Sequence, residues 1–386
     1  MDFEYNVPSV FINGKGARFS IAKHAKTLLM LNPLLVSDSY MLSTGVVDDI
    51  SNSLADAGLS FAVFADIDGE PTIENVNDAL DSYLKNGCDG VICIGGGSAI
   101  DTAKAAAVMA SNPGTIADYM GYHKVVNPSV PLIAIPTTSG TGSEATRVVA
   151  ITDTARNVKM MCLDNAFMPD LAIIDYELTM TMPKKLTAYV GMDALTHAIE
   201  AYVSRKANLV TDMFALKAIE LISKNILTAY GSPDNEEARE NMMLGATMAG
   251  VAFSNASVAA VHGMSRPIGA HFHIAHGLSN AMLLTIVSEY SLEGNIDRYA
   301  DVARSMGDDG GDSKTLALKA IAKLKKLTAD LEIPNFSEYG LDRAEYEKAI
   351  PDMVEAAIAS GSPANNPKLF EPEEMAELYR KAFDYK

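Results

Sequence analysis

The chain has 386 residues, of which 48% are hydrophobic and 21% charged, an ordinary globular composition with apolar mass enough for two cores and none of the bias of a disordered chain. Asp and Glu number 49 against 31 Lys and Arg, a formal charge of −18 with no basic run, so nucleic acid is excluded as an expected partner. The opening Met-Asp-Phe-Glu-Tyr lacks the basic and apolar regions of a signal peptide, and no stretch reaches the roughly 18 apolar residues of a membrane span. Cys88, Cys93 and Cys162 are an odd count without metal-type spacing, as in a reducing compartment, so a cytoplasmic protein without a membrane partner is expected.

Short β-rich runs at 34–37, 61–65, 90–94, 132–136 and 171–175 alternate with helical patterns in the first half. Val91-Ile92-Cys93-Ile94 is a continuous apolar run of the kind that parallel strands buried on both faces require, which predicts an α/β domain over 1–182. From Pro183 the strand signals stop. Ala188, Met192, Leu195, Ile199 and Tyr202 recur at helical spacing, and further helices are predicted at 211–226, 236–261, 313–331 and 371–383, giving an all-α domain over 183–386.

Directly after the third run comes Gly95-Gly96-Gly97-Ser98, and then a helical pattern through Asp101 and Lys104. Consecutive glycines let a main chain approach a pyrophosphate, and the N-terminus of the following helix favours an anion; a plain chain turn satisfies the same residues. After Pro136, the segment Thr137-Thr138-Ser139-Gly140-Thr141-Gly142-Ser143-Glu144 gathers hydroxyls and glycines at a second strand end, and two such loops favour a nucleotide. Asp38 follows the run at 34–37, which reads as the first strand. There a carboxylate accepts both ribose hydroxyls of an adenosine and repels a 2′-phosphate, favouring NAD over NADP, or else caps the next helix.

Five of the seven histidines, His197, His262, His271, His273 and His276, fall in the helical half. Asp193 and His197 are four residues apart and share a helix face, so they could present an oxygen and an imidazole to one ion or simply pair with each other. His262 and His276 each precede a glycine, which permits close packing around an ion, while His271 and His273 are equally eligible by spacing. Three imidazoles and a carboxylate suit iron(II) or zinc. An ion with an open position would polarise an alcohol or aldehyde oxygen as a Lewis acid.

Taken together, Gly95-Gly96-Gly97-Ser98 with Asp101, the 137–144 segment, Gly191-Met192-Asp193-Ala194-Leu195-Thr196-His197-Ala198-Ile199-Glu200 and His276-Gly277-Leu278-Ser279-Asn280-Ala281 closely resemble the iron-containing (group III) alcohol dehydrogenases over nearly the whole chain. The resemblance implies an N-terminal Rossmann-like parallel-sheet domain followed by a C-terminal helical domain, the dehydroquinate synthase-like architecture. It also implies the transfer of a hydride between a nicotinamide cofactor and a small alcohol or aldehyde, in a homodimer or larger homo-oligomer. By the resemblance the metal ligands are Asp193, His197, His262 and His276, and His271 and His273 become neighbours of the site. Asp38, Gly96, Gly97, Ser98, Asp101, Thr137, Thr138, Thr141, Lys159 and Leu178 are the cofactor-binding residues that the resemblance implies, and Phe253 falls on a position near substrate. Read without the resemblance, Lys159 is a solvated charge and Phe253 a core aromatic.

One position departs from the family pattern. Where many members carry a second histidine four residues after the ligand at 262, this chain has Arg266. Arginine stays charged and cannot act as a general base, so a proton relay falls to His271, His273, a cofactor hydroxyl or water. Arg266 could instead hold a substrate carboxylate in two-pronged fashion, or pair with an acidic neighbour. Two rival readings are a zinc-dependent, glycerol-type polyol dehydrogenase and a sugar-phosphate lyase. The lyase needs a cluster of basic residues that Arg205, Lys206 and Arg266 do not form.

Overall fold

Val91-Ile92-Cys93-Ile94 is completely buried, and its side chains alternate between two cores. Ile92 and Ile94 pack with Ile133, Ile135, Ile21 and Leu54 on one face, and Val91 and Cys93 with Leu132, Ala134, Ile100 and Ala103 on the other. A strand burying both faces needs helices on both sides, which is why the run is uniformly apolar. In this computed structural model, which describes residues 3–156 and 158–386, the chain divides into two compact units. One is Tyr5–Thr181; the other is Met182–Lys386 with Phe3 and Glu4.

The strands of the first unit are β1 (Val10–Asn13), β2 (Leu34–Ser37), β3 (Ala62–Phe64), β4 (Val91–Gly95), β5 (Gly121–Tyr122), β6 (Leu132–Pro136), β7 (Val148–Asp153), β8 (Val158–Leu163) and β9 (Leu171–Ile174). Six form one parallel sheet in the order β1-β9-β6-β4-β2-β3, and β5-β8-β7 form a smaller mixed sheet. From β2 the chain passes to β3 on one side and then to β4 on the other, with Ser37 opposite Ile94. The carboxyl ends of β2 and β4 therefore flank the point where strand order reverses, the usual place for a ligand in an open α/β sheet.

Helices α1 (Ile21–Thr27), α2 (Ser39–Ser43), α3 (Val46–Asp56), α4 (Ile73–Lys85) and α5 (Gly97–Met109) connect these strands. Two corrections concern the strands. The run at 34–37 is the second strand, because β1 precedes it; β1 is an edge strand with three of its four residues exposed, and its apolar stretch Val10-Phe11-Ile12 is shorter than the runs that mark the buried strands β4, β6 and β9. The β7–β8 hairpin also went unread, although Val148-Val149-Ala150-Ile151 and Met160-Met161-Cys162-Leu163 are apolar runs; in the structure its residues alternate between half-buried and buried, as in a hairpin with one covered face.

The second unit is helical, as expected. It contains α6 (Lys184–Val203), α7 (Leu209–Gly231), α8 (Glu236–Ala256), α9 (Ala260–Phe272), α10 (His276–Ser291), α11 (Ile296–Ser305), α12 (Ser313–Asp330), α13 (Phe336–Tyr339), α14 (Arg343–Ala359) and α15 (Pro372–Ala382). The continuous helix predicted at 236–261 is instead two helices, broken where Ser257 adopts a left-handed φ of 65°. Among the described residues no single helix is long and apolar enough to cross a membrane.

Candidate metal centre and dinucleotide cradle

The helix break after α8 exposes the first N–H groups of α9, and a buried side chain of α6 accepts them. The Glu200 carboxylate takes N–H donors from Ala259 at 3.0 Å, Val261 at 2.5 Å and His262 at 3.3 Å, and His262 Nδ1 lies 2.7 Å from the same group. Burial pushes the Glu200 carboxyl up to about 7, against the pull of those donors. With Nδ1 committed to Glu200, the tautomer of His262 is fixed and its Nε2 lone pair points away from α9.

That lone pair enters a cluster. One ligand-type atom from each of Asp193, His197, His262 and His276 lies within 4.8 Å of the others. Asp193 and His197 come from one face of α6, His262 from α9 and His276 from the first residue of α10. Close helix approach brings them together: a Cβ on Gly277 would lie 2.8 Å from the Tyr189 carbonyl and 3.3 Å from Asp193 Cβ, so only glycine lets α10 start against α6. Gly191 plays the same part on the other side of α6, where a Cβ would meet Ile226 and Met242 at under 3.0 Å. Gly263, by contrast, gives space to Pro363 rather than to the cluster.

Burial would raise the Asp193 carboxyl, but His197, His276, His262 and the Asn280 amide together hold it below the ordinary carboxylate value. The His197 ring is stacked between Phe253, at 4.3 Å between centroids, and His262, at 4.4 Å. Phe253 therefore abuts the cluster. His271 and His273, equal candidates by spacing, lie exposed at the end of α9, where His273 closes the helix with a left-handed φ of 54°. Arg266 is half-buried one turn beyond His262, and its Nη1 donates to Ser362 Oγ at 2.9 Å. Three imidazoles and one carboxylate suit a divalent transition metal, and the fixed His262 tautomer fits that use.

In the first unit, the glycine loop and the hydroxyl-rich loop interlock. A Cβ on Gly97 would lie 2.7 Å from Thr141 Cγ2, and one on Gly96 would touch Thr138 at 3.5 Å. Gly96 precedes the first turn of α5, which begins with Gly97 and Ser98, and among the described residues no side chain caps it, so its leading N–H groups suit an anion. The Thr137 N–H donates to the Gly95 carbonyl at 3.0 Å, tying the loop after β6 to the end of β4. Asp38 stands beside this turn: Oδ1 accepts the Met41 N–H at 2.8 Å, capping α2, while Oδ2 would lie 3.2 Å from a Cβ on Gly95.

Three of the expected cofactor residues have other engagements. Asp101 accepts from Ser143 Oγ at 2.5 Å and from the Ala150 N–H at 2.8 Å. Lys159 lies on β8 and pairs with Glu70 at 2.6 Å, and Leu178 is buried in the core of the main sheet. The sequence reading overlooked Lys104, whose buried Nζ donates to the Val148 carbonyl at 2.7 Å, Thr146 Oγ1 at 2.9 Å and the Ser143 carbonyl at 3.0 Å. Burial drives this ammonium down to about 8. Glu200 was overlooked too, although its place seven residues after Asp193 puts it on the ligand face of α6.

Comparison with known proteins shows the family. The family described as iron-containing alcohol dehydrogenase matches residues 8–176, and the C-terminal part of the Fe-containing alcohol dehydrogenase family matches residues 187–383. The chain belongs to the iron-containing alcohol dehydrogenase family. It is 37% identical to the 1,3-propanediol dehydrogenase of Citrobacter freundii, covering 99% of each chain. It is also 35% identical to the NAD-dependent methanol dehydrogenase of Bacillus methanolicus, over 97% of this chain and 98% of that one. A solved 1,3-propanediol oxidoreductase superposes with a TM-score of 0.96 at 36% identity, covering 99% of this chain and 100% of that one. This family has the two-part architecture of a parallel-sheet domain and a helical domain that the sequence led us to expect.

Proposed function

We propose that this member of the family is a metal-dependent alcohol dehydrogenase or aldehyde reductase that transfers a hydride between NAD(H) and a small primary alcohol, diol or hydroxy acid. The convergence of Asp193, His197, His262 and His276 within 4.8 Å carries the reading. These four residues would hold iron(II) or zinc, with Glu200 fixing His262 through Nδ1. When bound, the ion supplies a Lewis acid for the substrate oxygen. Phe253, stacked on His197, gives the site an apolar wall suited to a short carbon chain. The relatives named as propanediol and methanol dehydrogenases support a small substrate, and the one named NAD-dependent supports the cofactor.

The unit Tyr5–Thr181 would hold the dinucleotide, with its pyrophosphate over Gly96, Gly97 and Ser98 at the start of α5 and its ribose against Asp38. Thr138 and Thr141 stand beside the glycines, within reach of the same phosphates. Arg266 cannot take a proton from substrate, and its place one turn after His262 suits it to a substrate that bears an anion.

The deciding experiment measures metal content and NADH oxidation on protein reconstituted anaerobically with iron(II) or zinc, against short aldehydes, hydroxyaldehydes and semialdehydes. Metal-dependent turnover is expected, with the semialdehyde preference lost in Arg266→His. Bound metal and NADH with no turnover across the panel would overturn the assignment in favour of a lyase.

A further inference from the structure

Asn280 has no place among the four ligands, yet it sits in the middle of them. It lies on α10 one turn after His276 and is completely buried. Its Nδ2 is 2.6 Å from Asp193 Oδ1, 3.0 Å from His262 Nε2 and 3.2 Å from His276 Nε2. One amide nitrogen is thus the common neighbour of three of the four atoms that would bind an ion. An NH2 group carries two protons, so it satisfies at most two of these three acceptors at once.

The other end of the amide shows what sets its orientation. Among the described residues the buried Asn280 Oδ1 has no hydrogen-bond partner. Leaving a buried carbonyl unpaired is unfavourable, so the attraction of a carboxylate and two imidazole lone pairs for the N–H groups outweighs that loss. A cation on the same atoms reverses the balance, because it claims their lone pairs and repels the positive end of the amide dipole.

We propose that Asn280 is a positioning residue that holds the metal-free cluster together by donating to its ligand atoms, and that it must turn away, or turn over, for a divalent cation to enter. The inference rests on Asp193, His197, His262 and His276 being the ligand set. The site then binds its ion more weakly than these four residues alone would, because the ion displaces a donor already in place. In return the metal-free protein keeps its ligands gathered instead of leaving a carboxylate and three imidazoles unbridged.

The test uses the full-length, metal-stripped protein and zinc(II) as the probe, with affinity read by competition against a chromophoric chelator and melting temperature read with and without zinc. Asn280→Ala is expected to bind zinc about tenfold more tightly than the parent, the effect of removing roughly two ordinary hydrogen bonds from the competing state. It is also expected to melt lower than the parent when metal-free and together with it when loaded, whereas a space-filling role would lower both. Asn280→Ser serves if the cavity left by alanine prevents folding. Equal or weaker zinc affinity, or an equal drop in both melting temperatures, would overturn the proposal. His276→Ala separates the two layers: if that variant takes up zinc like the parent, the ligand assignment itself is wrong.

Discussion

The two candidate sites of this chain are built from different materials. In the unit Tyr5–Thr181 the cradle is main chain: N–H groups at the start of α5, with Gly97 packed so closely on Thr141 that a single added Cβ has no room. In the helical unit the cluster is side chain: three imidazoles and one carboxylate from α6, α9 and α10, with Glu200 behind His262 and Asn280 beside Asp193. A site of the first kind is sensitive to volume and indifferent to many chemical changes. A site of the second kind is sensitive to chemical identity even when shape is conserved.

The sharpest break is a ligand deletion. His262→Ala removes one imidazole and leaves Glu200 facing a cavity, so turnover should fall by at least about 100-fold, beyond what loss of an outer partner costs, while NADH binding stays near the parent value. Steady-state rates with metal analysis, and NADH fluorescence titration, check both halves. Retained turnover would remove the cluster from the mechanism. Next in size is Glu200→Gln, which keeps shape but takes the negative charge from behind His262 Nδ1. Metal affinity should drop by about 10–100-fold with little change in NADH affinity. An unchanged affinity would reduce Glu200 to a cap for the N-terminus of α9.

How much of each site was legible follows from the same contrast. Asp193 and His197 could be placed on one helix face from their spacing, because a helix dictates which residues are neighbours. His262 and His276 could not be separated from His271 and His273, since which of the four faces inward depends on the turn at Ser257 and on where α9 ends, and both are tertiary facts. Glu200 was readable, being on the same face of α6, and was passed over because an acidic residue in a helix more often faces solvent. The main sheet was legible through its fully buried strands. The edge strand β1 offers only three apolar residues in a row, and the β7–β8 hairpin, whose apolar runs at 148–151 and 160–163 were readable, was passed over because it stands outside the main sheet. Lys104 showed no sign in the sequence that its ammonium would lie buried under the loop at 143–148.

The main-chain cradle is broken by volume. Gly97→Ala places a methyl 2.7 Å from Thr141 Cγ2, so the two loops must part, at a cost of about 1–3 kcal/mol, and NADH affinity should fall by roughly tenfold or more. Metal content should not change. Adding Thr141→Ala removes the nearest obstruction and should recover part of the loss in the same titration. If Gly97→Ala binds NADH normally, the glycine serves the chain turn alone.

The smallest effect separates two uses of one carboxylate. Asp38 caps α2 by accepting the Met41 N–H, and it would also meet the adenosine ribose, so a substitution that alters both properties decides nothing. Asp38→Asn avoids this, because asparagine caps a helix about as well as aspartate but carries no charge to repel a 2′-phosphate. Stability should therefore stay within a few tenths of a kcal/mol of the parent, while the ratio of NADP to NAD use rises on the order of tenfold. If stability and the ratio both stay put, Asp38 is a helix cap and nothing more. The cradle's preference between the two dinucleotides would then have to come from its glycines and threonines, which carry no charge with which to tell a phosphate from a hydroxyl.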